Sequence, residues 1–192
     1  TTGESALLFN IVEGAVRLAL FIGYIWAIGR SKEIARVFEF HGAEHMTIHA
    51  FEAGEPLTVE SVDRYPPEHP RCGTSFLMIV VLGSIILFSL IHQSGLVWLI
   101  ATRIIGIPVI AGLAYEGLRF SGLGRDTWLS RAMSAPGLWL QKLTTAKPAD
   151  DQIEVAIAAM MTALDEERVA EVVTRGTVPA SAVEARRAAL AG

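Results

Sequence analysis

The residues best suited to chemistry in this 192-residue chain form the string His41-Gly42-Ala43-Glu44-His45. On a helix, positions four apart lie on one face, so His41 and His45 could direct ring nitrogens at one metal ion. Glu44 would lie beside them as a ligand, as a partner of a ligand or as a general base. The order H-x-x-E-H is the inverted form of the zinc-protease helix motif. The spacing predicts a metal site on a helix, with Glu44 as the candidate catalytic base.

Further metal ligands must come from elsewhere in the chain, since catalytic zinc sites use three protein ligands. His69 and Cys72, in the string HPRCG, are the more attractive candidates because imidazole and thiolate both bind zinc. Glu52 lies about two turns beyond His45 and would need a bend or a bridging water. Zinc is the first choice, while iron or manganese would also suit histidines and carboxylates. In the alternative interpretation, the motif marks two surface histidines and Cys72 is a small packed residue.

The helix that carries the motif is predicted to begin after a capping Ser31 and to run roughly to Gly54, because its apolar and histidine positions follow a helical period. Residues 55–74 contain four prolines and are predicted to form an irregular loop over a membrane face. His69 and Cys72 lie on this loop.

Long apolar stretches place these elements in a membrane protein. The chain is 52 % hydrophobic and 19 % charged, whereas soluble domains are about 25 % charged. Residues 75–92 contain no Asp, Glu, Lys or Arg, and a stretch of about 17–25 residues spans the hydrocarbon core. We therefore predict an all-α, polytopic membrane protein with about three transmembrane helices, at 6–28, 75–92 and 94–118.

The distribution of positive charge predicts the orientation of these helices. Of the 16 Lys and Arg residues, 14 lie in residues 29–74 or after residue 118. Three spans would put those two regions on the same side, and the positive-inside rule makes that side cytoplasmic. We predict an inner (plasma) membrane protein with loop 29–74, the H-x-x-E-H helix and the C-terminus in the cytoplasm. The net charge of −4 gives no reason to expect nucleic-acid binding.

Charged residues within the predicted spans should face protein or water, because each costs about 2.5–3.5 kcal/mol on insertion scales. Glu13 and Arg17 are four residues apart and can pair. Arg103 has no acidic partner nearby in the sequence, so its partner must be another helix, a carbonyl, a lipid phosphate or another subunit. Gly106-Ile107-Pro108 predicts a kink or local unwinding in the third span. A tight turn at 93–95 should join the second and third spans.

The chain changes character after Gly124. Residues 126–143 are predicted to be an amphipathic segment in the lipid headgroup region, split at Pro136-Gly137; packing against cytoplasmic helices is the alternative. A soluble helix with Asp151 and Glu154 as a capping pair should follow, and then a last helix from Ser181. The predicted divisions are a transmembrane domain at 1–124, an interfacial segment at 125–147 and cytoplasmic amphipathic helices at 148–192.

Several motifs together resemble the YqhQ family of bacterial membrane proteins: FHGAEHMTIHAFEAGE, HPRCGTSFL, SAPGLWLQKLTT and DDQIEVAIAAM. The resemblance covers about residues 6–165 and implies a membrane protein often labelled a metal-dependent enzyme of unknown function. It aligns the family's HGAEH block with residues 41–45 and its PRCGTSF block with residues 70–76. The family's further N-terminal, glycine-rich portion has no counterpart here, and the start at Thr1 leads us to expect a fragment or a processed chain.

Two hypotheses from different classes follow. In the first, the chain is a metal-binding membrane protein with a cytoplasm-facing site, and it is a candidate zinc-dependent hydrolase. His41 and His45 would bind the metal, His69 or Cys72 would complete the site, and Glu44 would accept a proton from water. In the second, it is a non-enzymatic accessory or assembly protein that binds other membrane proteins. The lipid bilayer is the expected partner in both, with a homo-oligomer as a further possibility.

Overall fold

The computed structural model describes residues 3–91, 95–121 and 127–191, and these residues contain α-helices and no strand. The predicted all-α fold is therefore confirmed. In chain order the helices are α1 (Gly3–Ile28), α2 (Lys32–Glu52), α3 (Val59–Val62), α4 (Gly73–Leu90), α5 (Leu96–Ser121), α6 (Trp128–Thr144), α7 (Asp150–Ala163), α8 (Glu166–Arg175) and α9 (Ala180–Ala191).

The chain forms two compact units. The first, called here the span unit, comprises Thr1–Ile28 and Pro70–Gln141, and the second, the histidine unit, comprises Gly29–His69 and Lys142–Gly192. These units reflect packing, whereas the predicted divisions at 1–124, 125–147 and 148–192 concern location relative to a membrane. Those divisions stay a prediction, and their boundary near residue 124 lies outside the described residues.

Three helices of the span unit are long and apolar enough to cross a membrane: Leu8–Ile28, Gly73–Leu90 and Leu96–Arg119. Only 6 %, 11 % and 11 % of their most apolar windows is buried. Apolar helices that leave so much of their surface uncovered are suited to lipid, which covers that surface without cost. The three predicted spans are confirmed as membrane-spanning candidates by length and composition.

Small residues bring these helices into close antiparallel contact. A Cβ atom added at Gly14 of α1 would lie 2.5 Å from the side chain of Ile85 in α4. Where α4 meets α5, a Cβ atom at Gly106 would lie 3.0 Å from the Phe88 ring. Such contacts are typical of membrane helices, whose association depends on close packing. Glu13 and Arg17 of α1 form the predicted ion pair.

Two predicted interruptions of helices do not occur. The helix α5 continues through Pro108 and α6 continues through Pro136, so the local unwinding at Pro108 and the split at Pro136 are wrong. The alternative of a kink at Pro108 stays a prediction. A proline inside a helix removes one backbone hydrogen bond but has a helical φ angle. In α6, tertiary contacts support the helix beyond that point: a Cβ at Gly137 would lie 2.2 Å from Ser75 Oγ, and Gln141 Nε2 donates to the same oxygen at 2.7 Å.

The histidine unit is built around one apolar core. The helix α2 contributes its small and flexible side chains, and α7 contributes a stripe of larger ones at helical spacing. The fully buried core residues are Ala43, Met46, Ala50, Leu57, Val62, Ile153, Ile157, Met161, Val172 and Ala182. The apolar stripe of α7 therefore packs into the core of this unit.

The ends of α2 follow local sequence signals. Ser31 occupies the N-cap position, as predicted. At the other end, Gly54 adopts a φ of 77°, the Glu55 N–H donates to Ala50 O at 3.0 Å, and the Gly54 N–H donates to Phe51 O at 3.1 Å. This is the Schellman pattern, which requires a left-handed residue and therefore favours glycine.

Three details of the histidine unit differ from the prediction. The loop 55–74 contains the one-turn helix α3, whose N-cap residue Thr58 accepts a hydrogen bond from Ser61 N. The helix α8 was not predicted. The N-cap of α7 is Ala149, whose N–H donates to Gln152 Oε1 at 2.8 Å, so the Asp151 and Glu154 capping pair is wrong. Residues 93 and 94 of the predicted turn lie outside the described residues.

Candidate metal centre

The helix α2 places His41 and His45 side by side, one turn apart. Their ring centroids are 4.3 Å apart with the planes at 61°, and each ring offers a nitrogen within 4.8 Å of the other's. His45 is buried and His41 is half-buried. Two imidazoles in this arrangement can approach a common cation.

Backbone carbonyl groups fix the orientation of both rings. Nδ1 of His41 lies 2.8 Å from Thr144 O, and Nδ1 of His45 lies 2.7 Å from Pro67 O. A carbonyl oxygen can only accept a hydrogen bond, so each Nδ1 carries the hydrogen and donates. In the neutral imidazole, the lone pair that can bind a metal is then on Nε2. Metal-binding histidines nearly always hold their second ring nitrogen in this way.

Gly42 allows the backbone segment that holds His41 to approach α2. A Cβ atom at this position would lie 2.2 Å from Ala146 O and 3.2 Å from Pro67 Cβ. The same segment is held by a hydrogen bond from Ala146 N to Phe38 O at 3.0 Å. Gly42 therefore lets two backbone segments lie close to α2, and these segments supply the carbonyl groups that orient His41 and His45.

A second pair of histidines continues the row along α2 and the loop that covers it. The ring of the buried His69 lies 5.7 Å from that of His45 and 4.5 Å from that of His49. His49 Nε2 donates to Glu68 O at 2.9 Å, and its ring stacks on Tyr65 at 5.9 Å. The loop that ends at His69 thus folds back along α2, and four histidines of the histidine unit form one continuous group.

Glu52 contacts this group at its far end. Its Oε2 atom lies 3.6 Å from His69 Nε2. The contact places a carboxylate next to a buried imidazole, at a distance longer than that of a hydrogen bond. Sequence reasoning considered Glu52 only as a distant ligand and gave His49 no role. The spacing of His45, His49 and Glu52 along α2 was the available signal.

The remaining predicted site residues lie as follows. Glu44 occupies an exposed position of α2, and its role as a base stays a prediction. Cys72 belongs to the span unit, where it is the N-cap residue of α4 and its Sγ accepts a hydrogen bond from Thr74 N at 3.4 Å. His41, His45 and Cys72 carry donor atoms of the kinds that could hold a metal ion. The ligand assignment itself stays a prediction.

The fold and this histidine group define an all-helical protein with three candidate membrane-spanning helices and a histidine-rich helix. The chain belongs to the family described as "Protein of unknown function (DUF1385)", whose sequence model matches residues 1–166.

Among curated proteins, the chain is similar to the "Uncharacterized protein YqhQ" of Bacillus subtilis (strain 168), with 36 % identity over 160 residues, 83 % of this chain and 50 % of that protein. The predicted membership of the YqhQ family is thereby confirmed. The chain spans about half the length of this relative. No solved structure matches the chain.

Proposed function

We propose that this chain is a membrane-embedded metal-binding protein and acts as a metal-dependent hydrolase with its site at the cytoplasmic face. The observation that carries the proposal is the pair of hydrogen bonds from Nδ1 of His41 and of His45 to backbone carbonyls. Both bonds place the metal-binding lone pair on Nε2, and the rings lie next to each other. A surface histidine would not need such fixed orientation.

In the proposed site, His41 and His45 are the first two ligands. His69 and Cys72 are the further ligands, on the grounds of residue chemistry and of their position in the loop that follows α2. Zinc suits this set of imidazole and thiolate donors better than magnesium or calcium does, since those ions prefer oxygen.

The proposed hydrolysis divides the work between the ion and one carboxylate. When bound, a zinc ion supplies Lewis acidity and lowers the pKa of a water molecule towards about 7. Glu44, exposed on α2 beside the two histidines, accepts the proton of the attacking water at its carboxylate.

The orientation of the chain in the membrane is proposed from the distribution of its Lys and Arg residues. The 14 Lys and Arg residues at 29–74 and after residue 118 favour the cytoplasm for the loops between the first two candidate spans and after the third. The histidine unit contains much of that sequence.

The test is the metal content of the full chain, purified from membranes in mild detergent and measured by plasma mass spectrometry. We expect about one zinc ion per chain in the wild type and in the control His92→Ala, whose histidine is not among the proposed ligands. We expect less than about a tenth of that in His41→Ala and a clear reduction in Cys72→Ser, because each ligand contributes strongly to affinity.

Near-zero metal in every variant, the wild type included, would refute the proposal and favour an accessory protein that binds other membrane proteins. Loss of metal together with loss of helicity in circular dichroism would identify a structural ion instead of a catalytic one. Glu44→Gln separates binding from catalysis: it should keep its zinc and lose zinc-dependent hydrolysis of a p-nitrophenyl ester, since the amide cannot accept the proton.

A further inference from the structure

The span unit contains a cavity whose described lining includes no histidine. It has a volume of about 410 Å³ and lies among α1, α4 and α5. Its lining combines two arginines and one glutamate with polar and apolar side chains of three candidate membrane-spanning helices. Charged side chains at this depth are costly in lipid and typically mark functional sites.

The charges that line the cavity do not balance. Arg17 is paired with Glu13, one turn away on α1. Arg103 of α5 also lines the cavity, with its guanidinium 5.1 Å from the centre of the Phe88 ring. Glu13 is the one acid among the described residues of the lining. The cavity wall therefore carries one net positive charge, on helices suited to hydrocarbon.

Three of the polar lining residues lie at one end of the cavity, while the paired Glu13 and Arg17 lie further along α1. Asn10 Nδ2 donates to Ser89 O at 3.4 Å, so the beginning of α1 lies beside the end of α4. The ring of Phe88 packs at Gly106 of α5, and Arg103 is about 4.5 Å closer to the start of that helix. Asn10, Ser89 and Arg103 therefore lie near the same membrane face.

The other end of the cavity is apolar. Phe21 is about 16 Å beyond Asn10 along α1, and Val81 is about 12 Å before Ser89 along α4, at 1.5 Å per residue. Both side chains line the cavity, as does Ile107 of α5. The lining thus begins with Arg103 and polar groups near the membrane face, passes the paired charges of Glu13 and Arg17, and ends in apolar side chains at Phe21.

We infer that this cavity binds one anionic glycerophospholipid. The phosphate group lies at Arg103, with Asn10 and Ser89 at the same level, and one acyl chain follows the apolar wall past Val81 and Phe21. One negative charge balances the single excess positive charge. A free phosphate ion would leave the apolar end of the cavity without a partner, and a zwitterionic lipid would leave the excess charge uncompensated.

The test is native mass spectrometry of the full chain released from nanodiscs that contain equal amounts of phosphatidylglycerol and phosphatidylcholine. We expect one retained phosphatidylglycerol, favoured at least tenfold over phosphatidylcholine. Arg103→Gln should reduce the preference to less than threefold, and Arg103→Lys should keep most of it because it keeps the charge. Arg64→Gln is the control: Arg64 is an exposed arginine of the histidine unit that pairs with Glu60.

Several outcomes would overturn the inference. A wild-type chain that retains phosphatidylglycerol and phosphatidylcholine equally would overturn it, whether or not the variants fold. An unchanged lipid preference in a folded Arg103→Gln variant would show that Arg103 does not bind the phosphate. An equal loss of preference in Arg64→Gln would show the same. Oleate at equal concentration should displace little phosphatidylglycerol; complete displacement would identify a fatty-acid carboxylate as the ligand and contradict the assignment of a phospholipid. Inorganic phosphate should not displace the lipid.

Discussion

Replacing Gly42 by alanine tests whether the close approach at α2 orients the proposed metal ligands. The new Cβ atom would lie 2.2 Å from Ala146 O, so that carbonyl has to move by about 1 Å to reach ordinary van der Waals contact. Thr144 is two residues earlier in the same segment, and its carbonyl lies 2.8 Å from His41 Nδ1. A comparable shift there stretches the contact beyond the range of a hydrogen bond.

Two effects of Gly42→Ala should be measurable. Overpacking of a tight contact costs about 1–3 kcal/mol of unfolding free energy. Loss of an orienting partner lowers metal affinity by about 10–100-fold. The first is measured by thermal denaturation followed by circular dichroism, and the second by zinc competition against a chromogenic chelator, both on the full chain in detergent.

The matched control is Gly112→Ala, a helical glycine of α5 where an added Cβ atom meets nothing within 4 Å. It should leave zinc affinity unchanged. A folded Gly42→Ala protein with wild-type zinc affinity would refute the reasoning, because the orienting carbonyl would then be dispensable. An equal loss of affinity in both alanine variants would show that the effect does not come from the contact at Ala146.

Three further substitutions test the packing that supports the two units. Gln152→Leu should lower the free energy of unfolding by about 1–3 kcal/mol, because the buried amide accepts the Ala149 N–H; urea denaturation of the full chain measures the loss. Ile157→Ala should cost about 2–5 kcal/mol in the same assay, since it opens a cavity in a fully buried site. Gly137→Ala should cost about 1–3 kcal/mol, measured as a lowered midpoint of thermal denaturation, because its Cβ would overlap Ser75.

The chain offers controls for these substitutions. Val155→Ala removes a half-exposed side chain from the same helix as Ile157 and should cost much less. Gly112→Ala serves again as the control for Gly137. If Val155→Ala destabilises the chain as much as Ile157→Ala does, burial of the side chain is not the cause of the loss. If Gly112→Ala destabilises it as much as Gly137→Ala does, the close approach to Ser75 is not the cause.

The sequence predicted those elements whose signals are local. The three spans are continuous apolar stretches, and α2 is delimited by Ser31 and Gly54, so each can be found from neighbouring residues alone. The pair His41 and His45 was found in the same way, since one helical turn separates them.

The helix α8 is supported by both local and distant contacts. It is a short, strongly charged segment in which Val172 alone is fully buried. Arg175 Nη1 donates to Phe51 O at 2.9 Å, from a position 124 residues away. Tertiary contacts of this kind add to local signals that the prediction overlooked: Asp165 caps the helix by accepting the Arg168 N–H at 2.8 Å, and Gly176 follows its last residue.

The same distinction applies to the candidate metal centre. The ligand types and the helical spacing were visible in the sequence. The orienting carbonyl at Thr144 is 103 residues from His41, and the one at Pro67 depends on a loop that folds back. Backbone carbonyls carry no residue-specific signal, so no pattern could identify them. The requirement for Gly42 follows from the same distant contact.

The distance along the chain between α2 and its partners has a consequence for biosynthesis. The hydrogen bond between Glu39 and Gln152 joins residues 113 positions apart. At about 5–20 residues per second, the ribosome completes α2 roughly 5–20 seconds before α7 and the carbonyl at Thr144 are available. During that interval the His41 ring lacks its orienting partner, so in the proposed function metal loading in its final geometry comes late in synthesis, after the C-terminal helices have emerged.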